Sequence, residues 1–206
     1  MDEILKYFPT LTELQRSQFE ALQSMYSDLN AKINVISRKD IDNLYVNHVL
    51  HSLVIAKFIT PVEGTAFIDL GCGGGFPGIP LAVFWPQCRF HLIDRVGKKV
   101  KVAQTVAEAI GLRNVTFQHG DSGECRQKFD YVVSRAVMTL PELIKASQHL
   151  VGSKSRNKLP NGLICLKGGD LDEEIRQARR DILDVPLSDY YTEPYYSTKH
   201  LLYTPL

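Results

Sequence analysis

A buried-strand pattern that runs into a glycine-rich turn is the feature that most limits what this chain can fold into. The apolar run over residues 66–70 carries Asp69, and Gly71, Gly73 and Gly75 follow at alternate positions. Glycine adopts positive φ and has no Cβ, so a ligand can approach such a turn closely. The stretch predicts a strand, a nucleotide- or nucleoside-binding turn and the start of a helix.

The spacing of these glycines separates classes of nucleotide-binding protein. A dinucleotide-binding turn has the pattern G-x-G-x-x-G, and its third glycine would fall on Phe76. The glycines fit G-x-G-x-G instead, which disfavours a nicotinamide or flavin cofactor. A tight strand-to-helix connection without a ligand would also use glycine, so the next strand has to discriminate.

That next strand ends in a carboxylate. The apolar run over residues 89–94 closes on Asp94, which follows the glycine turn at roughly the 20-residue spacing that places an acid on ribose hydroxyls. The two features together predict a ribose-bearing cofactor. Asp121, after a third strand, is either a ligand or a turn-forming residue.

Strand and helix patterns alternate from residue 66 onward, which predicts an α/β protein with a doubly wound, mostly parallel sheet. Ligands of such sheets bind at the carboxyl ends of the strands. The predicted strands cover residues 66–70, 89–94, 115–119, 129–134 and 163–167, with a closing hairpin over 190–197 and 200–204. The predicted helices cover residues 78–84, 98–110, 140–150 and 171–183.

Helical patterns precede the sheet. Thr12 and Gln15 match a capping box, and Asp40 matches the N-cap of a second helix. We therefore expect an N-terminal helical cap over residues 1–60 and a ligand-binding domain over residues 61–206, together one compact unit. The polar cap residues that either face RNA, cover the cofactor or lie on solvated faces are Asn30, Asn34, Arg38, His48 and His51.

Composition sets further limits. A chain of 206 residues can bury a sizeable core as one domain, and its net charge of +1 leaves RNA binding to a local basic patch. The four cysteines lack zinc-site spacing, so we expect free thiols, with Cys165 in the core, and no metal. Neither a signal peptide nor a membrane-spanning run is evident, so a cytoplasmic protein is expected.

Several segments over roughly residues 15–204 together resemble the bacterial RsmG (GidB) family. Members of that family are S-adenosyl-L-methionine-dependent methyltransferases that modify N7 of a guanine in small-subunit (16S) ribosomal RNA, with S-adenosyl-L-homocysteine as the product. The resemblance implies a class I, Rossmann-like fold with a seven-stranded sheet. The matching segments are Gly71 to Pro80, Leu92 to Asp94 with Gly97-Lys98-Lys99, Ser134-Arg135-Ala136, Leu166-Lys167-Gly168 and Asn30 to Ser52.

The same resemblance assigns the cofactor-binding residues. It implies that the glycine turn holds the aminocarboxypropyl group through backbone amides, that Asp94 accepts from the ribose and that residues 120–123 border the adenine. The family commonly has Arg-Ala-Glu at residues 121–123 and an acid at His51, so roles at these positions stay open. The implied cofactor-binding residues are Gly71, Gly73, Gly75, Phe76, Asp94, Asp121, Ser122, Gly123 and Arg135.

Transfer to guanine N7 places few demands on side chains. Arg135 follows the fourth strand, where enzymes that methylate exocyclic amines carry an Asp/Asn-Pro-Pro-aromatic motif, and that motif is absent. Because N7 already offers an in-plane lone pair, proximity and alignment could supply most of the rate. We therefore assign no general base and expect Arg135 to support the cofactor or the guanine, against the alternative of a structural ion pair.

RNA contacts are expected from basic side chains that neutralise phosphates. The loop 152–158 is favoured because it is basic and is expected at the same end of the sheet as the site. The partner would be ribosomal RNA or the small subunit, with no membrane and a monomeric enzyme. The alternatives are a non-catalytic RNA- or ribosome-binding module on the same fold and a nicotinamide-dependent oxidoreductase. The RNA-binding candidates are Lys98, Lys99, Lys154, Arg156, Lys158, Lys167, Lys199 and His200.

Overall fold

A computed structural model describes residues 1–31, 33–37, 40–135 and 137–206. Its strands are β1 Ala66–Leu70, β2 Arg89–Asp94, β3 Val115–His119, β4 Tyr131–Arg135, β5 Gly162–Gly168, β6 Leu183–Pro186 and β7 Lys199–Pro205. Its α-helices are α1 Asp2–Tyr7, α2 Glu13–Asn30, α3 His51–Phe58, α4 Gly78–Phe84, α5 Gly97–Ala109, α6 Leu140–Ser147 and α7 Asp172–Ala178.

The strands form one seven-stranded sheet in the order β3-β2-β1-β4-β5-β7-β6. Neighbours among β1 to β5 are parallel, and β7 runs antiparallel between β5 and β6. All five residues of β1 are buried, as expected for a strand covered by helices on both faces. The sheet confirms the doubly wound, mostly parallel architecture predicted from the alternating pattern.

The N-terminal cap packs on one face of the sheet and shares its larger apolar core. The capping box of Thr12 and Gln15 at the start of α2 is confirmed. Residues 41–58 continue without a break as a 3₁₀ turn Ile41–Asn43, a π-helix Leu44–Leu50 and α3. Asp40 stands at the N-cap position as predicted, but its side chain makes no capping hydrogen bond and instead accepts hydrogen bonds from Asn47 and His48.

The C-terminal prediction needs correction. The closing strand β7 pairs with Leu183–Pro186, whereas residues 190–197 form turns and 3₁₀ helix rather than a strand. Two tyrosines in this segment are buried, and their hydroxyls donate to carbonyl oxygens of the cap, Tyr191 to Leu50 at 3.0 Å and Tyr196 to Val46. The segment therefore ties the C-terminus to the cap instead of extending the sheet.

Two further predictions concern the cysteines and possible membrane-spanning helices. Cys165 is confirmed as a core residue at 1% exposure, and all four cysteines are free thiols. Among the described residues, no helix is both long and apolar enough to cross a membrane.

Candidate functional site

A cleft of about 620 Å³ opens at the carboxyl ends of β1 to β4. This is the point where the order of the sheet reverses, since β1 is flanked by β2 on one side and by β4 on the other. Ligands of open α/β sheets bind at such a point. The structure brings five of the predicted cofactor-binding residues into the lining of this cleft: Gly71, Asp94, Asp121, Ser122 and Gly123.

The glycine turn is held close to β2 and to the segment after β4. The amides of Gly71 and Cys72 both donate to the carbonyl oxygen of Ile93, at 2.9 and 3.1 Å. Gly71 has a φ of +74°, and a Cβ on it would lie 2.6 Å from a methyl group of Val137. Gly75 has a φ of +111°, and its Cβ would lie 2.5 Å from Ile79. Only glycine fits either position without displacing a neighbour.

Asp94 joins the turn to the cleft. Its carboxylate accepts from the amide of Gly73 and from the amide of Val96, both at 2.8 Å. A carboxylate has about four acceptor positions, so capacity remains for hydroxyl donors at the cleft wall that Asp94 lines. The residue can therefore order the turn and hold a diol at the same time.

The loop after β3 forms the opposite wall. One oxygen of Asp121 accepts from the amide of Gly123 at 2.8 Å, and the carboxylate also pairs with Arg95. The amide of Gly123 is the main cause that lowers the pKa of Asp121. Asp121 therefore acts as the turn-forming residue that the sequence left open, and it lines the cleft as well.

Phe76 and Arg135 lie on the cap side of the glycine turn and not among the residues that line the cleft. The Arg135 guanidinium lies 5.1 Å from the centre of the Phe76 ring. It donates to Nδ1 of His48 at 3.0 Å and to the carbonyl oxygen of Asn47 at 3.3 Å. Burial is the main cause that lowers the pKa of Arg135. The cofactor-binding role of Phe76 and Arg135 stays a prediction.

Among the cap candidates, His48 has contacts that bear on the site. Asn30 instead closes its own turn, with its side chain bonded to the backbone of Val35 and Ile36. His51 is buried with Nε2 unpaired, and burial lowers its pKa well below the usual value. Arg38 lies outside the described residues. Sequence reasoning missed Val137, Lys145 and His149 in the cleft lining, because no local pattern marks them.

Asp69 is fully buried beneath the glycine turn. Its Oδ2 accepts from the amide of Gly78 at 2.7 Å, whereas Oδ1 has no hydrogen-bond partner. Burial raises the pKa of Asp69 to about 7, although the Gly78 amide and the charge of Arg135 oppose the shift. The carboxyl group therefore keeps its proton in the folded protein over a range in which the unfolded chain has lost it.

This shift predicts a pH-dependent effect of Asp69→Asn. The pKa of the carboxyl group is near 3.8 in the unfolded chain and about 7 in the folded protein. Between these values the unfolded chain ionises while the folded protein keeps its proton, so the free energy of unfolding falls as the pH rises. The asparagine keeps an acceptor for Gly78 and has no such loss. We expect the free energy of unfolding of the variant, minus that of the unaltered protein, to increase by up to about 4 kcal/mol from pH 4 to 7.5. Denaturant unfolding of both proteins across that pH range measures this difference, and the ionisation of all other groups cancels from it. A difference that stays constant with pH would contradict the prediction.

Two predicted RNA contacts are engaged elsewhere. Lys167 is largely buried, pairs with Glu174 at 2.7 Å and donates to the carbonyl oxygen of Met138 at 2.9 Å. His200 pairs with Asp184 on the neighbouring strand at 2.8 Å. Both side chains hold elements of the fold together, and Lys167 supports the segment after β4 that lines the cleft. A direct RNA role for these two is therefore disfavoured by the structure.

The placement of the loop 152–158 needs correction. It lies at the amino end of the sheet, opposite the cleft, because it leads into β5, which is parallel to β1. Arg156 donates to the carbonyl oxygen of Glu63 and lies 3.7 Å from Asp130, both of which precede strands. Lys154 and Arg156 line a separate groove there. By contrast, Lys98 and Lys99 open α5 beside Asp94, and Lys199 lies 5.1 Å from the ring of Tyr195.

Comparisons with known proteins bear on the activity of this site. A model of the GidB family, described as rRNA small subunit methyltransferase G, matches residues 15–190. The chain is 56% identical over 206 residues to the ribosomal RNA small subunit methyltransferase G of Bacteroides thetaiotaomicron, with all of both chains covered. It is 47% identical to the protein of that name from Flavobacterium psychrophilum, over all of this chain and 98% of that one.

Solved structures bear on the fold alone. Fibrillarin from Aeropyrum pernix, solved with S-adenosyl-L-methionine, matches with a TM-score of 0.56 at 13% identity, over 75% of this chain and 73% of that one. A ribosomal protein L11 methylase from Lactobacillus delbrueckii subsp. bulgaricus matches with a TM-score of 0.56 at 15% identity, over 75% and 76%. These likenesses confirm the class I, Rossmann-like fold.

Proposed function

Because the chain belongs to the GidB family, we propose that it transfers a methyl group from S-adenosyl-L-methionine to N7 of a guanine in 16S ribosomal RNA. The observation that carries the proposal is the match of residues 15–190 to the family of rRNA small subunit methyltransferase G. The alternative of a nicotinamide-dependent oxidoreductase is wrong, because the family consists of rRNA methyltransferases. The guanine and its N7 position are inferred from the resemblance in sequence and are tested below.

The residues of the cleft fit the proposed donor. The diol of its ribose would meet the free acceptor positions of Asp94, and its amino acid part would lie against the turn of Gly71 to Gly75. The loop of Asp121, Ser122 and Gly123 would border the adenine. These assignments rest on the cleft lining and on the hydrogen bonds of Asp94. No metal is needed for this chemistry, since the donor carries its own activated methyl group.

The chain's contribution to catalysis would be mainly alignment. The bound donor supplies a methyl group on a positively charged sulfur, and the guanine N7 supplies the lone pair that receives it. The Asp94 carboxylate and the glycine turn would fix one reactant, and the Arg135 guanidinium would orient the other. Alignment of this kind can account for about 7 to 11 kcal/mol of a barrier. No side chain has to remove a proton, because N7 carries none.

We propose that the RNA reaches the site across the carboxyl end of the sheet, because the reacting base has to enter beside the cleft. Three of the predicted RNA-binding cations, Lys98, Lys99 and Lys199, lie at that end of the sheet. In the described part of the chain, the exposed large apolar side chains are few and come from separate elements, such as Leu14 on α2 and Leu183 on β6. This scatter supports a monomer. From the family we infer that the protein acts on ribosomal RNA or on the small subunit, in the cytoplasm where that RNA lies.

Two charge-neutralised variants test that direction of approach. Replacing Lys98, Lys99 and Lys199 with glutamine should weaken rRNA binding about 10- to 100-fold at moderate salt. It should also reduce the slope of log K against log salt by about 2 to 3, since each phosphate contact contributes about 0.7 to 0.9. The matched variant with Lys154, Arg156 and Lys158 replaced removes the same charge at the amino end and should change both quantities less. A larger loss in the second variant would place the RNA at the opposite end of the sheet.

The decisive experiment is incubation with labelled S-adenosyl-L-methionine and small subunits that lack the modification, followed by mapping of the labelled base. Label at guanine N7 is the expected result. Label at another position would keep the methyltransferase and overturn the N7 assignment. If no label is incorporated although the protein binds the subunit, the non-catalytic alternative that the sequence left open would hold.

A further inference from the structure

A chain of hydrogen bonds links the N-terminal cap to Arg135. The ring of His48 bonds to Oδ2 of Asp40 through Nε2 at 2.9 Å and to Nη2 of Arg135 through Nδ1 at 3.0 Å. A guanidinium nitrogen can only donate, so Nδ1 has to accept and Nε2 has to carry the proton that is donated to Asp40. The two partners therefore select a single tautomer of a neutral imidazole.

The surroundings keep that imidazole neutral. His48 is 9% exposed. Burial, and after it the charge of Arg135, lowers the pKa of His48 to about 4, although Asp40 opposes the shift. A protonated ring would present an N–H group to the N–H group of Arg135 and break the link. At neutral pH the ring can thus hold the guanidinium on one side while it is held by the carboxylate on the other.

Aromatic contacts restrict the position of the guanidinium. Phe76, at the end of the glycine turn, is 5.1 Å from Arg135, 5.3 Å from the ring of His48 and 4.9 Å from the ring of Tyr26. The hydroxyl of Tyr26 donates to the carbonyl oxygen of Gly74 at 2.8 Å. The same aromatic cluster therefore touches the cap, the glycine turn and Arg135, and these parts of the fold set one orientation together.

We infer that Asp40 and His48 are positioning residues that hold Arg135 in the orientation required for methyl transfer. The inference rests on the proposed function and deepens it. Arginine commonly binds guanine through O6 and N7 together, and that contact would occupy the lone pair that has to react. Of its five N–H donors, Arg135 commits two to His48 and to the carbonyl oxygen of Asn47. A guanidinium held in this way can contact the base without rotating freely onto N7.

A double-mutant cycle tests whether His48 acts through Arg135. His48→Leu removes the acceptor and should lower kcat about 10- to 100-fold, with a smaller change in the affinity for S-adenosyl-L-homocysteine. In an Arg135→Met background, the same change should lower kcat by less than about threefold, because the group that it positions is already gone. His48→Asn keeps an acceptor near the place of Nδ1 and should restore most of the activity.

A second pair of variants covers the case in which His48→Leu does not fold. Asp40 is partly exposed, so Asp40→Ala should fold. It frees the tautomer of His48 and should lower kcat about 3- to 10-fold, an effect again absent beside Arg135→Met. Asp40→Asn keeps an acceptor for Nε2 and serves as the matched control.

The outcomes separate two failures. The unaltered protein could methylate the RNA while the His48 or Asp40 variants lower kcat by the same factor with and without Arg135→Met. The positioning role would then be overturned and the proposed function would stand. Equal losses in His48→Asn and His48→Leu would also overturn the positioning role. If the unaltered protein transfers no methyl group, the proposed function fails and this inference fails with it.

Discussion

Asp94→Ala is expected to weaken binding of S-adenosyl-L-homocysteine by about 10²- to 10⁴-fold. The carboxylate already organises the turn through the amides of Gly73 and Val96 and still faces the cleft. Hydrogen bonds to a charged acceptor contribute about 1.5 to 3 kcal/mol each, so the loss of two bonds from a ribose diol accounts for this range. The two amides would also lose their acceptor, which adds to the effect. Calorimetric titration with the product measures it.

Two matched variants interpret that loss. Asp94→Asn keeps the shape and one carbonyl acceptor, so its affinity should fall between those of the alanine variant and the unaltered protein. Asp121→Asn alters another carboxylate of the cleft, one that caps its own turn, and should change the affinity less than about fivefold. Unchanged binding in Asp94→Ala would remove the cofactor from this cleft and with it the proposed assignment.

Arg135→Met is expected to lower kcat for methyl transfer by about 10²- to 10³-fold, equivalent to roughly 3 to 4 kcal/mol of lost transition-state stabilisation. The guanidinium contacts Asn47, His48 and Phe76 rather than the cleft lining, so the loss should fall mainly on the transfer step. The affinity for S-adenosyl-L-homocysteine should change less than about tenfold. Single-turnover kinetics at saturating donor separate the two quantities.

Arg135→Lys is the control for charge. It keeps a cation but not the planar fork that reaches His48 and Asn47 together, so it should recover little activity. Thermal melts establish whether each variant is folded. If Arg135→Met transferred methyl groups and bound the product as the unaltered protein does, Arg135 would be a structural residue, which is the alternative that the sequence left open.

The cofactor side of the site follows closely from the sequence. The strands over residues 66–70, 89–94 and 115–119 begin and end where they were predicted. The first two are buried apolar runs that stop at a polar or glycine turn, whereas the third is an edge strand with no buried residue. Parallel strands bring their carboxyl ends together, so Gly71, Asp94 and Asp121 had to meet. Position along the chain and strand direction were enough for this part of the site.

The basic residues show where such reasoning stops. Lys167 and His200 carry charges that a sequence presents as available, yet their partners Glu174 and Asp184 come from other elements of the fold. The loop 152–158 was expected at the wrong end of the sheet, although its place before a parallel strand already set its position. The tyrosines of residues 190–197 belong to a residue type that strands favour, but Tyr191 and Tyr196 are buried and donate to carbonyl oxygens of the cap.

The amino-acid sequence by itself determined the parallel sheet, the glycine turn and the acid at the next strand end, because each depends on residues that are neighbours in the chain. Only the tertiary structure decided what surrounds Arg135. Asp40, His48 and Phe76 come from separate segments, and no periodicity links them. Their mutual orientation arises when the cap packs on the sheet, because burial then favours hydrogen bonds between the polar groups that lie within reach of one another.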